Sequence, residues 1–95
     1  MQYKIVKTCY EYGNPVPYIE EGHARYSTRA EAECSVYIEV IEELNTFNMP
    51  DENGHRPECS FSATMEDEKH DCVVLCWDGD DYMPVTCYDI VEVAE

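Results

Sequence analysis

The sequence is poor in basic residues and in glycine, and it has no long hydrophobic run. Its 95 residues hold 6 Lys+Arg against 21 Asp+Glu, which gives a formal net charge of −15. This excess of negative charge repels phosphate backbones and anionic lipids, so direct binding to nucleic acid or to a membrane is not expected. No segment approaches the roughly 18 apolar residues of a membrane span. The 4 glycines form no phosphate-binding loop.

A chain of this length forms a single acidic domain over residues 1–95, without room for a second domain or a large cofactor cavity. Hydrophobic residues make up 44% of it, which is enough for a core and argues against disorder. Residues 1–7 lack the apolar segment of a signal peptide, so the expected location is the cytoplasm. No cofactor is expected.

The negative charge is unevenly divided along the chain. Residues 1–27 carry no net charge, and residues 28–95 carry all of it, spread over successive elements rather than gathered in a terminal run. Compaction scaling predicts a radius of gyration of ~12 Å and a diameter of ~32 Å. Duplex DNA of that length carries about 19 phosphate charges, and the net charge of −15 is comparable.

Local patterns in the first half predict strands and one helix. Residues 3–9 form a β-type run before a turn-rich segment, and a second strand is placed between Tyr18 and Tyr26. Thr28 and Glu31 form a capping box, in which the hydroxyl bonds the Glu31 amide and the carboxylate reaches back to the cap. The helix should therefore begin at Arg29 and end between residues 45 and 50. Its core-facing stripe is predicted to be Ala30, Cys34, Tyr37, Ile41 and Leu44, widened by Val36, Ile38 and Val40.

The second half reads as a three-strand meander. Residues 59–66 alternate, which places Cys59, Phe61, Ala63 and Met65 on one face. Residues 72–77 are apolar on both faces, so this strand should be interior, with its Cys72, Val74 and Cys76 face covered by a second layer or by a partner. A turn at 78–81 leads to a last strand at 85–93. The predicted fold is α+β, an antiparallel sheet of about four strands with one amphipathic helix packed on one face.

The helix carries charges that oppose its macrodipole. Arg29 lies in the first turn, and Glu42 and Glu43 lie near the C-terminus, at a cost of about 0.3–1 kcal/mol each at low salt. Glu39 and Glu43 add like-charge repulsion at i,i+4. One interpretation is that a negative surface is itself the selected feature. The alternative is an ordinary solvated face in an acidic proteome such as that of a halophile.

Cysteine and histidine suggest a zinc site only weakly. His55, Cys59, His70 and Cys72 are the candidate ligands, but no C-x-x-C occurs. Cys34 and Cys59 are expected to be small buried hydrophobes. Cys72 with His70 or His55 is the candidate pair for a thiolate nucleophile, but negative surroundings raise thiol pKa values, and no enzyme activity is expected.

The carboxylates Asp78, Asp80 and Asp81 beside Gly79 suggest calcium, which prefers several hard oxygen ligands. These residues lack the alternating acidic positions of an EF-hand loop. A hairpin turn explains the segment more simply.

Tyrosines in residues 1–27, the part of the chain without net charge, favour another class of function. Tyr10, Tyr12, Tyr18 and Tyr26 lie outside the helix and the meander, and tyrosine is enriched at protein interfaces. The alternative function is therefore a structural or adaptor domain, including a homodimer, that docks through the tyrosines and an apolar sheet face.

No segment carries a recognised family motif. In size, acidity and lack of catalytic residues the chain resembles small phage or mobile-element inhibitors of defence systems, including anti-CRISPR and anti-restriction DNA mimics. The resemblance implies a partner with a basic nucleic-acid-binding groove, in the host cytoplasm if the chain is phage-encoded. The residues expected to contact that partner are Glu31, Glu39, Glu42 and Glu43 on the helix and Glu66, Asp67, Glu68, Asp78, Asp80 and Asp81 in the turns.

Overall fold

The computed structural model describes residues 1–10, 16–55, 60–65 and 67–94. The elements in chain order are β1 (Gln2–Cys9), β2 (Tyr18–Glu21), α1 (Arg29–Phe47), β3 (Ser60–Thr64), β4 (Cys72–Asp78) and β5 (Asp81–Val93). The strands form one antiparallel sheet in the order β2-β1-β5-β4-β3, and α1 packs on one face. The predicted α+β fold is confirmed, with five strands rather than about four because β2 joins the sheet as an edge strand.

The central strand β5 joins two staggered halves of the sheet. Its residues 81–88 pair with β4, whereas residues 86–93 pair with β1. Its two neighbours therefore overlap only along residues 86–88, and the molecule is elongated, with extents of 48 × 27 × 22 Å and a radius of gyration of 14.7 Å. The predicted near-spherical shape was wrong, and duplex DNA of the observed length would carry about 28 phosphate charges.

Helix α1 begins at Arg29, as predicted, with Thr28 as its N-cap. The Glu31 amide donates to the Thr28 hydroxyl oxygen at 3.2 Å. The Glu31 carboxylate accepts from the backbone N–H of Ser27 at 3.3 Å, one residue before the predicted cap position. The helix ends at Phe47 and is followed by the C-cap Asn48.

The buried face of α1 includes Val36, Val40 and Leu44 of the predicted stripe but not its other members. Ala32, Val36 and Val40 are buried, and Leu44 and Phe47 pack beside them. The predicted stripe residues Ala30, Cys34, Tyr37 and Ile41 are exposed, so Cys34 is not the buried thiol that was expected. Apolar residues cover most of the helix circumference, so periodicity alone allows more than one phase. The observed phase places Glu43 beside polar groups of the sheet, described below.

The sheet face that contains Cys72 and Val74 is covered within the chain. Both residues belong to the core formed with α1, together with Ile5, Tyr88 and Ile90. This layer of the molecule needs no partner to cover it. On the opposite face, Val73 and Cys87 are also buried, at 3% and 2% exposure.

Strand β3 is only partly packed. Phe61 is half-buried and its ring lies 4.8 Å from that of Phe47 between centroids. Ala63 and Met65, predicted to share its apolar face, are exposed, and Cys59 lies outside the described residues.

The predicted hairpin turn connects β4 and β5. Asp78 and Asp81 are paired across it, and Gly79 has a φ of +64°, which matches the glycine at the first central position of a type II′ turn. Strand β5 begins at Asp81, four residues before the predicted start at Val85. A register shift between Val74 and Leu75 accommodates this longer strand.

Candidate acidic interface

The hairpin turn and the C-terminus of α1 lie at the same end of the molecule. The side chain of Asn48 holds both backbone groups of Phe61: it donates to the carbonyl at 3.2 Å and accepts from the N–H at 3.1 Å. Phe61 is paired with Cys76, two residues before Asp78. The end of the helix is therefore joined to the part of the sheet that leads to the hairpin.

We define the acidic end as Asp78, Asp80 and Asp81, the three carboxylates of the hairpin. All three are exposed. Within the described part of the chain, none of them has a Lys, Arg or His partner within ion-pair distance.

Two carboxylates of the hairpin place like charges opposite each other. Asp78 and Asp81 are direct cross-strand partners, and like charges placed opposite each other in an antiparallel pair destabilise it by roughly 0.2–1 kcal/mol. Asp80 adds a third negative charge within the same turn. The hairpin keeps this charge at a cost in stability.

Basic residues away from the hairpin form ion pairs with nearby carboxylates. Lys4 is paired with Val91 in the sheet, about 33 Å along β5 from Asp81 at the usual rise per residue. Its Nζ lies 3.5 Å from the Glu21 carboxylate. Arg29 bonds Glu33 and Asp71. These cations are therefore used in ion pairs away from the hairpin aspartates.

Lys7 binds two of the predicted surface glutamates. Its Nζ lies 3.4 Å from Glu39 and 3.8 Å from Glu43, so the repulsion expected between these glutamates is offset by a cation. Burial by itself lowers the pKa of Lys7, but the carboxylates of Glu43 and Glu39 outweigh it and raise that pKa. No pattern in the sequence predicted that Lys7 would reach the helix.

Glu43 points into the protein and does not contribute to an exposed acidic surface. Its side chain is 13% exposed. It accepts hydrogen bonds from the hydroxyls of Tyr88 at 2.7 Å and Thr86 at 2.9 Å. The pKa of Tyr88 is raised above its ordinary value, mainly because the residue is buried and secondly because of this hydrogen bond. Glu43 is therefore a structural residue, a role that helix periodicity did not predict.

The remaining predicted acids lie elsewhere. Glu31 is in the first turn of α1, about 16 Å along the helix from Glu42. Asp67 is exposed and accepts from the backbone N–H groups of Lys69 and His70. Glu68 is exposed, and Glu66 lies outside the described residues. The structure therefore does not gather all the predicted acids into one patch.

The loop before β4 is held to the sheet by hydrogen bonds. His70 Nδ1 lies 2.9 Å from the Asp89 carboxylate. Asp71 accepts from the N–H of Ile90 at 2.7 Å. Because residues alternate along β5 and its neighbours Tyr88 and Ile90 face α1, Asp89 and its partner His70 lie on the opposite face of the sheet.

The candidate zinc ligands that the structure describes do not lie at one site. Cys72 is in the core facing α1, whereas His70 is bonded to Asp89 on the other face. The His55 side chain is 79% exposed beside Asp51, and Cys59 lies outside the described residues. Over the ranges that the structure describes, no three His, Cys, Asp or Glu residues converge as metal ligands, the hairpin aspartates included.

The Cys72 thiol has no environment for nucleophilic catalysis. Burial, and after it the carboxylates of Glu43 and Asp71, together raise the pKa of Cys72 to about 11. The thiol is therefore protonated at neutral pH, and His70 is bonded to Asp89 on the other face of the sheet.

The tyrosines do not form a single surface. The Tyr26 hydroxyl lies 2.8 Å from that of Ser35, and its ring packs against the core. Tyr10 contacts the Cys87 thiol. Tyr18 is 60% exposed on the edge strand β2, and Tyr12 lies outside the described residues.

Comparison with known proteins finds no matching protein-family model, curated sequence or solved structure. Among the described residues, no helix is both long enough and apolar enough to cross a membrane.

Proposed function

We propose that the protein is a non-enzymatic inhibitor that occupies the basic, nucleic-acid-binding surface of a partner protein. The observation that carries this proposal is the acidic end, where exposed carboxylates have no cationic partner among the described residues and Asp78 faces Asp81 across the hairpin. A purely structural turn gains nothing from this arrangement. A cationic groove that evolved for phosphates would neutralise it.

The mechanism is occlusion by charge and shape. A net charge of −15 steers the protein toward a basic surface and makes association fast and sensitive to salt. The three aspartates lie in and beside the two-residue turn that closes the hairpin, so they are presented together at its tip. The carboxylates then take the place of a few phosphates. In size and acidity such an inhibitor resembles phage or mobile-element proteins of the anti-CRISPR or anti-restriction type.

The proposal is tested by pull-down from a bacterial lysate with the tagged protein. Bound proteins are eluted at rising salt, identified by mass spectrometry and assayed for competition between this protein and DNA. The proposal expects a nucleic-acid-binding protein that is retained at low salt, released at high salt and displaced by DNA.

Matched variants locate the contact surface. In the tip variant, Asp78→Asn, Asp80→Asn and Asp81→Asn remove charge from the hairpin. In the control variant, Glu20→Gln, Glu68→Gln and Glu92→Gln make the same change in net charge elsewhere. The tip variant should lose most of its binding, and the control variant should lose much less. Equal losses would show that net charge alone acts, and unchanged binding by the tip variant would exclude the acidic end.

A different pull-down result would favour the alternative adaptor function. A partner without nucleic-acid-binding activity, held at high salt, would contradict the inhibitor proposal. Substitution of Tyr18, the exposed tyrosine on β2, would then be expected to weaken that complex.

A further inference from the structure

Two aromatic side chains lie against each other beside the tip of the hairpin between β4 and β5. The ring centroids of Trp77 and Tyr82 are 4.9 Å apart, and the angle between the ring planes is 43°. The two residues are direct cross-strand partners. Trp77 is half-buried, whereas Tyr82 is 63% exposed. We call these two residues the aromatic pair.

The aromatic pair lies on the face of the sheet away from α1. Phe61 packs on Phe47 of the helix and is paired with Cys76 in the sheet. Cys76 therefore lies on the helix side, and the next residue along β4, Trp77, lies on the other side. The indole N–H of Trp77 donates to the hydroxyl oxygen of Ser62 at 2.6 Å. This hydrogen bond fixes the orientation of the indole and satisfies its only donor.

The aromatic pair is not explained by the core. Neither ring belongs to the cluster of buried residues that packs between α1 and the sheet. Trp and Tyr are enriched at protein interfaces and among the residues that contribute most to binding energy. The exposed ring surface therefore indicates a contact site.

The neighbouring charges of the acidic end determine which ligand suits the aromatic pair. Asp78 follows Trp77 and Asp81 precedes Tyr82 in the chain, and consecutive Cα atoms lie about 3.8 Å apart. By alternation, the side chains of these aspartates leave the strands on the opposite face, so they act on a ligand of the rings through their field rather than by contact. At physiological salt this field extends over about 8 Å. The face of an aromatic ring is also negative, so both effects favour a cation.

We infer that the aromatic pair binds an arginine side chain of the partner's basic surface, with the guanidinium group stacked on an exposed ring face. The inference rests on the proposed function and deepens it, because it adds a specific contact to the charge attraction. Arginine suits the site better than lysine, since its planar and weakly hydrated guanidinium group stacks on aromatic rings. Among the described residues, the one cation over an aromatic ring is Lys7, which lies 5.5 Å from the ring centroid of Tyr88.

Other occupants of the site are disfavoured by charge. Aromatic side chains also stack on the bases of single-stranded nucleic acid, but the acidic end would repel a phosphate backbone at this position. A second copy of the chain carries a further net charge of −15 and is repelled at low salt. A cationic side chain meets no such barrier.

The test uses the full chain and a short peptide of alternating Arg and Gly. A matched peptide carries Lys in place of Arg and keeps the same charge. The affinity is measured by fluorescence anisotropy of labelled peptides at low and at physiological salt. Trp77 is the only tryptophan of the chain, so its emission, measured with unlabelled peptides, reports contact at the aromatic pair. The Arg peptide should bind at least about twofold more tightly than the Lys peptide and should change the emission of Trp77.

Variants separate the ring contact from general charge attraction. Tyr82→Leu keeps an apolar side chain but removes the aromatic face, so it should weaken binding of the Arg peptide about two- to fivefold, as expected for loss of an exposed cation–π contact. Tyr82→Phe keeps the ring and should bind like the wild type. Tyr37→Leu is the matched control, because Tyr37 is 59% exposed on α1, on the other side of the sheet. It should also bind the Arg peptide like the wild type.

Three results would overturn the inference. These are equal affinity for the Arg and Lys peptides, unchanged affinity of Tyr82→Leu, or a change in Trp77 emission with single-stranded oligothymidylate but not with the Arg peptide. The first two would leave the proposed inhibitor function standing on charge alone. A pull-down without any nucleic-acid-binding partner, with the Arg peptide still bound at the aromatic pair, would instead remove the inhibitor function and leave an arginine-binding site.

Discussion

The hydroxyl of Tyr88 donates a hydrogen bond of 2.7 Å to the carboxylate of Glu43, which joins the central strand to the helix. Tyr88 is fully buried, and the same carboxylate accepts from Thr86 and lies beside Lys7. This contact accompanies the burial of Ala32, Val36 and Val40 against the sheet. It also separates Glu43, which points inward, from Glu42, which is exposed on the same helix.

Glu43→Ala should therefore lower the free energy of unfolding by about 2–4 kcal/mol, because it leaves buried hydroxyls without an acceptor and removes a partner of Lys7. Urea unfolding followed by circular dichroism measures the effect. Glu42→Ala, at an exposed position on the same helix, should change the stability by no more than about 0.5 kcal/mol. Equal effects of the two substitutions would refute the structural role of Glu43.

Asp81→Asn should stabilise the protein by about 0.2–1 kcal/mol at low salt, because it removes the repulsion from Asp78 across the hairpin. The gain should shrink as salt screens the pair. Glu92→Gln, which makes the same charge change at the far end of β5, is the control and should gain less. Loss of stability in Asp81→Asn, or a gain that ignores salt, would contradict the proposed repulsion.

Asn48→Ala should destabilise the protein by about 1–2 kcal/mol, because both backbone groups of Phe61 lose their side-chain partner. It should also raise the tendency to aggregate, since it frees part of an edge strand. Thermal unfolding and light scattering measure the two effects. Asn45→Ala, at an exposed position on α1, serves as the control, and a comparable loss there would show that Asn48 has no special role.

Stability should decline at alkaline pH. Burial raises the pKa values of Cys72 and Cys87 to about 11, whereas unfolded thiols titrate near ~8.5. The native state thus keeps protons that the unfolded chain loses, so this contribution is complete below about pH 8.5 and is lost as the pH rises toward 11. Tyr88, whose pKa is also raised, adds to the decline above about pH 10.

Urea unfolding at intervals from pH 7 to pH 11 measures this decline. Cys72→Ala should make the slope shallower between pH 9 and pH 11, by up to about 1.4 kcal/mol per pH unit for one proton. Cys34→Ser, which alters an exposed thiol, should leave the slope unchanged. Stability that is constant or rising across this range would contradict the assignment.

The local features of the fold followed from neighbouring residues. The Thr28 cap, the helix start at Arg29 and the turn around Gly79 depend on contacts within a few positions. Hydrophobic alternation likewise identified β3, and short apolar runs between turn residues identified β1 and β4, which together with the helix indicated the α+β class. Such short-range rules act on any chain with these residues, so the sequence was sufficient for them.

The phase of α1 and the location of the charge depended on contacts between distant residues. Apolar side chains cover most of the helix circumference, so only Lys7, Thr86 and Tyr88 on the sheet determine that Glu43 turns inward. The stagger of β1 and β4 along β5 likewise set the elongated shape and separated the basic residues from the hairpin. Composition determined how much negative charge the protein carries, and tertiary pairing decided where that charge is neutralised.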